Sequence, residues 1–223
     1  MSLFIIVLIV VIFVLLWKLK DYKIEFNTFF KKGLPPIDDR FGCYFITGKQ
    51  GTYKSFYAIK LLLAQDKSLC NKIKTNMKSI KIPNYKIEYF DRVEEIYKDS
   101  DEYCIYVLDE VARKYDKNSK TDKHFYAWLN QSRKTHRIVI MITQEWKELP
   151  MWIRRPAKYM ITTIKNPLLN KFKIYQTIIG DAENMVLNTE EMEWECPPIK
   201  RVLWKPNLYI TNYYDTFEVV NDL

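Results

Sequence analysis

Between an apolar run, Cys43–Thr47, and a helix-like segment from about Lys54 to Lys67 lies Gly48-Lys49-Gln50-Gly51-Thr52-Tyr53-Lys54-Ser55. No other stretch constrains the fold so tightly. A loop passing from a strand into a helix can curl its backbone N–H groups around phosphate oxygens at the positive end of the helix dipole. Such a loop also needs a lysine for the β- and γ-phosphates and a hydroxyl for Mg²⁺. Gly48, Lys54 and Ser55 stand where that chemistry requires them. One position departs: glycine is expected immediately before the lysine, and this chain has Tyr53. A Cβ there restricts how closely the loop can wrap a triphosphate.

The pattern beyond Phe41 supplies a context for this loop. Tyr103–Leu108 and Ile138–Thr143 read as fully buried strands, and Lys72–Met77, Ile87–Phe90, Tyr159–Ile164 and Phe172–Ile179 are strand-like. Arg92–Lys98 and Asp122–Lys134 read as helices, and the region beyond Asn188 follows no clear period. Apolar β runs separated by helical segments predict an α/β, P-loop NTPase-like domain with a largely parallel sheet flanked by helices. In such a sheet the ligands gather at the C-terminal tips of the strands.

The tips carry the right groups. Asp109 and Glu110 follow the run ending at Leu108. Asp109 can hold Mg²⁺ directly or through water, and Glu110 can polarise an attacking water as general base. Two consecutive acids are also common in solvated turns, so the pair takes its meaning from the loop. Gln144 follows Ile138–Thr143, where an amide could contact a γ-phosphate or orient water.

These segments, CYFITGKQGTYKSFYAIKLLL, IKTNMKSIKIP, IYVLDEVARKY and AWLNQSRKTHRIVIMITQ, resemble the zonula occludens toxin-like ATPases. That group includes the assembly ATPases of filamentous phages, related to the FtsK/HerA branch of P-loop motors. Near the end, Tyr214-Asp215-Thr216 is similar to a further segment of the family. The resemblance implies an ATP-driven membrane protein acting in phage morphogenesis, extrusion or DNA translocation. It implies ATP and Mg²⁺ as cofactors, nucleotide contacts from Gly48 through Ser55, and Mg²⁺ held by Ser55 and Asp109. Glu110 would activate water, and Gln144 would sense the γ-phosphate. The implied partners are further copies of the chain, as a ring, together with phage assembly or coat proteins and DNA. A virion DNA-packaging ATPase is a related alternative. A non-hydrolysing nucleotide-binding scaffold is another, and Tyr53 is the residue that favours it.

The chain carries 35 Lys+Arg against 27 Asp+Glu, a net charge of +8. Basic clusters at Arg133, Lys134, His136 and Arg137, and at Arg154, Arg155 and Lys158, could track nucleic-acid phosphates. For any single one of these residues, solvated basic surface is the better account. Arg154 or Arg155 could also reach a neighbouring subunit's γ-phosphate as an arginine finger.

The remaining strong feature is Leu3–Trp17, which has neither charge nor helix breaker. Extended to 2–19 it makes about 27 Å of helix, enough for a short membrane span. Positive charge follows this run rather than preceding it, at Lys18, Lys20 and Lys23, which is the reverse of a cleaved signal. The expectation is an uncleaved single-pass anchor over 2–19, in the inner membrane of a host cell, with the chain's start outside. A basic juxtamembrane linker over 20–40 would face anionic lipid, and an ATPase domain with a C-terminal extension over 41–223 would lie in the cytoplasm. The four widely spaced cysteines suit such a reducing compartment and offer neither a zinc site nor a redox dithiol.

Overall fold

The computed structural model describes residues 2–24, 41–65, 70–98, 101–172, 174–190, 192–205 and 212–214. Eleven strands occur among them: β1 (Lys23–Ile24), β2 (Gly42–Thr47), β3 (Lys72–Thr75), β4 (Lys86–Tyr89), β5 (Cys104–Leu108), β6 (Ile138–Ile142), β7 (Ala157–Ile164), β8 (Tyr175–Asp181), β9 (Val186–Asn188), β10 (Glu193–Glu195) and β11 (Pro198–Trp204). The helices are α1 (Ser2–Leu19), α2 (Lys54–Ala64), α3 (Val93–Lys98), α4 (Val111–Lys114), α5 (Lys123–Asn130), α6 (Met151–Arg154) and α7 (Pro167–Lys171), with a 3₁₀ turn at Trp146–Glu148.

Nine strands form one sheet in the order β1-β11-β8-β7-β2-β6-β5-β3-β4. From β7 to β4 every pairing is parallel. β8 then runs antiparallel to β7, and β11 antiparallel to β8. The central strands β2, β5 and β6 are buried on both faces, which is why they read as continuous apolar runs. One core lies under α2, with Tyr44, Ile46, Ile59, Leu62, Ile105 and Ile140 in it. The other contains Phe45, Tyr106, Phe125, Trp128, Val139 and Met141 on the opposite side.

Several boundaries differ from expectation. α5 ends at Asn130 rather than at Lys134, because residues 131–136 turn sharply. His136 is left-handed there at φ 51°, and the Arg137 N–H donates back to Ser132 O at 2.7 Å. The expected linker over 20–40 begins instead as a strand: Lys23 and Ile24 pair in parallel with Val202 and Leu203. Residues 25–40 lie outside the described residues, as do Asp215 and Thr216 of the C-terminal segment.

α1 is a continuous helix of 18 residues. Its described side chains, Ile5 to Trp17, are almost all exposed, Phe13 at 70%. The helix covers about 27 Å of axis, against roughly 30 Å for a bilayer core. Among the described residues no helix is long and apolar enough to cross a membrane. The structure therefore gives a helix where a transmembrane one was expected, without showing that it spans.

Candidate functional site at the strand tips

The parallel strands deliver their C-terminal tips to one end of the sheet, and β2 passes there into the loop 48–53 and then α2. Gly48 is obligatory on two counts. Its φ is +149°, and a Cβ built on it would lie 2.5 Å from Thr163 O and 2.6 Å from Thr52 Oγ1. The loop is pinned from within, since Thr52 Oγ1 donates to Lys49 O at 2.7 Å and lies 2.9 Å from Thr163 Oγ1. Gly51, at φ +74°, has open space where a Cβ would stand. Gln50 and Lys49 are exposed at the loop's tip, and Ser55 sits half-buried in the first turn of α2.

Lys54 folds back across this loop. Its Nζ donates to Gly48 O at 2.8 Å and Lys49 O at 3.3 Å. Burial lowers its pKa, and the charges of Asp109 and Glu110 oppose that shift. The lysine and the two carboxylates therefore share one electrostatic site.

Tyr53 occupies the expected glycine position with the backbone that glycine would supply, φ 66° and ψ 33°. For a non-glycine residue this costs about 1–2 kcal/mol. The ring compensates by packing on Tyr175 at 4.0 Å and Phe56 at 5.8 Å between centroids. Burial, and then the hydrogen bond with Tyr53, push the Tyr175 phenol up. The side chain is thus committed to the α2 core and the start of β8.

β6 lies between β2 and β5, so its tip stands between the loop and the acidic pair. The Gln144 carbonyl accepts from Gly48 N at 3.1 Å and from Thr47 Oγ1 at 3.1 Å, while the residue itself is exposed. On the far side of β6, Asp109 is buried, and its carboxyl is pushed up to about 6 by burial and by the Glu110 charge. Glu110 turns left-handed at φ 56°, donates its N–H to Asp109 Oδ1 at 2.9 Å and pairs with Arg113 Nε at 2.7 Å.

Two further residues belong to the site. Asn76, just beyond β3, accepts from Asp109 N at 2.8 Å and donates to Asp109 O at 3.0 Å. Thr163, near the end of β7, links Thr52 to Thr47 O. Both are polar residues closing a parallel strand, the same signal that singles out Asp109 and Gln144.

Arg154 and Arg155 are not brought here. They precede β7, and β7 runs parallel to β2, so they lie toward the end of the sheet opposite the loop. The Arg154 guanidinium sits over Trp146 at 5.9 Å. The second basic cluster is also engaged: Arg137 Nε donates to Asp101 O and its guanidinium lies over Trp128, Arg133 pairs with Glu183, and His136 stacks on Tyr103.

The donors at the loop suit magnesium. Ser55 and Asp109 offer hard oxygen ligands, and Mg²⁺ takes only one or two from protein when phosphates and waters supply the rest. No cluster of three or more His, Cys, Asp or Glu able to hold a metal by itself occurs among the described residues.

No protein-family model matches this sequence, and no curated protein matches it. Solved structures do. The N-terminal domain of zonular occludens toxin from Neisseria meningitidis superposes with a TM-score of 0.53 at 16% identity, over 78% of this chain and 98% of that one. This chain has the P-loop NTPase fold. The genome-packaging NTPase B204 of Sulfolobus turreted icosahedral virus 2, solved with sulfate, gives a TM-score of 0.50 at 15% identity, covering 77% of this chain and 99% of its own. Its complex with ATP-gammaS gives the same score over 75% and 98%. In this P-loop NTPase fold the loop, the acidic pair and Gln144 converge although the sequences share few residues.

Proposed function

We propose that the chain is an ATP hydrolase anchored in a membrane by α1, which uses ATP to drive phage morphogenesis or the movement of DNA. The observation that carries this reading is the convergence of Lys54, Asp109, Glu110 and Gln144 on one loop whose backbone tolerates no Cβ at Gly48.

In this reading the loop amides and Lys54 hold the β- and γ-phosphates. Lys54 exchanges its bonds to Gly48 O and Lys49 O for phosphate oxygens. Ser55 and Asp109 hold Mg²⁺, which neutralises phosphate charge when bound. Glu110 accepts a proton from the attacking water once it leaves Arg113, and Gln144 orients that water or reads the γ-phosphate.

Membrane anchoring is supported by exposed apolar side chains along α1, an arrangement that water does not tolerate over such a length. The basic residues after the run support a cytoplasmic position for the ATPase region. The likeness to a genome-packaging NTPase supports DNA as cargo, and a ring of copies is part of the same reading. Arg154 and Arg155 would then act only across a subunit boundary.

The test is hydrolysis by the full chain reconstituted in lipid with Mg-ATP, beside Lys54→Ala. Turnover that the substitution abolishes supports the proposal. A folded, assembled sample that binds no ATP overturns it and leaves a scaffold.

A further inference from the structure

The end of the sheet opposite the nucleotide loop carries exposed apolar side chains. β11 starts at Pro198, at the end opposite the nucleotide loop, and finishes at Trp204, beside the rings of Tyr57 and Tyr175 that adjoin the loop. At its foot stands the antiparallel β9–β10 ribbon, with Leu187 paired to Trp194 and Val186 to Glu195. Leu187, Trp194 and Val186 are exposed, as are Met192 at 75% and Ile199 at 58%.

The chain comes into β1 from the side of this end. β1 runs parallel to β11, so the chain before Lys23 passes back along Arg201 toward Pro198, and Asp21 lies 3.5 Å from Arg201 Nη1. Leu19, where α1 ends, precedes Lys23 closely enough to stand within about 13 Å of it. The ribbon strands are about 10 Å long, and the headgroup layer of a bilayer is about 5–7 Å deep. An element beside the helix exit is therefore within reach of the lipid.

We propose that the β9–β10 ribbon, together with Ile199, seats in the headgroup layer of the membrane that holds α1, leaving the nucleotide loop facing away from it. This rests on the reading of α1 as an anchor. Trp194 beside Leu187 is the kind of pair that favours the lipid–water boundary. Lys200 on β11 adds positive charge beside it, while Arg201 is paired with Asp21. Glu195 belongs to the alternate register position, where Asn188 Nδ2 donates to its carboxylate at 3.1 Å, so the acid need not enter lipid. A second copy of the chain is the rival occupant. The proximity of the helix exit favours lipid.

The experiment uses the full chain in phosphatidylethanolamine–phosphatidylglycerol vesicles containing a doxyl-labelled lipid quencher. An environment-sensitive dye is attached at Met192→Cys, Phe13→Cys or Gln50→Cys; the four native thiols are buried. Loss of emission at positions 13 and 192, but not at 50, is expected. Replacing Trp194→Glu should restore emission at 192; persistent quenching there would assign the signal to the dye and overturn the inference. So would quenching at 13 with the 192 dye in water, or with that dye shielded but unquenched, as a second copy would leave it. An unquenched dye at 13 would overturn the anchor and this inference with it.

Discussion

Asn76 brackets the backbone of Asp109, its Oδ1 accepting the Asp109 N–H at 2.8 Å and its Nδ2 donating to the carbonyl at 3.0 Å. Both residues are buried, so the amide fixes the height and direction of the carboxylate that follows β5. Asn76→Ala leaves a buried N–H and a buried carbonyl without partners. The expected destabilisation is about 2 kcal/mol, read by urea denaturation, with turnover falling more than ATP affinity.

Lys54 and Glu110 should separate binding from hydrolysis. Lys54→Ala removes a charge-assisted contact to phosphate worth about 1.5–3 kcal/mol, so ATP affinity should fall by about tenfold or more. Glu110→Gln keeps the loop and its lysine, and should retain ATP while losing turnover. Calorimetry beside a phosphate-release assay distinguishes them; equal loss of binding in both would contradict the assigned roles.

Tyr53→Gly relieves a left-handed backbone and discards a ring packed on Tyr175 and Phe56. The gain of about 1–2 kcal/mol and the lost packing nearly cancel. Thermal stability should change little, and ATP affinity should hold, because the ring is spent on the core. A large loss of affinity in this variant would instead make Tyr53 part of the nucleotide pocket.

Asp109 gives the site a pH signature. Its carboxyl is raised from 3.8 to about 6, so between those values the folded chain binds a proton that the unfolded chain has released. Stability from this group is therefore full below about pH 4, falls as pH rises toward 6, and levels off above. Asp109→Asn should stabilise the nucleotide-free protein at pH 8 by about 1–3 kcal/mol. Urea titrations of the nucleotide-free protein from pH 4 to 8 would show this fall, and Asp109→Asn should remove it.

The centre of the fold was legible because β2, β5 and β6 are buried on both faces and so spell unbroken apolar runs. Beyond β7, β8 was legible in the strand-like run Phe172–Ile179, but the rest of that edge was not. β9 and β10 have three residues each, β1 has two, and β11 opens on a proline, so none carries enough period to register. Asn76 and Thr163 close their strands with polar side chains as Gln144 does, but the runs before them, Lys72–Thr75 and Ala157–Ile164, are interrupted by Lys or Thr. The arginines at 154 and 155 follow Gln144 closely in sequence, yet the chain travels the length of the sheet in between.

Tyr53, Tyr175 and Trp204 form a column of rings with centroid spacings of 4.0 and 5.4 Å. It begins at the last residue of the phosphate loop and ends on β11, the strand that β1 joins to α1. Closely packed rings do not shift independently. If a nucleotide moves the loop's final turn, that displacement must break the column or be passed to the edge strand and on toward the helix. Tension applied at the helix would return by the same route. A glycine in the tyrosine's place would have made a freer loop and removed this load path.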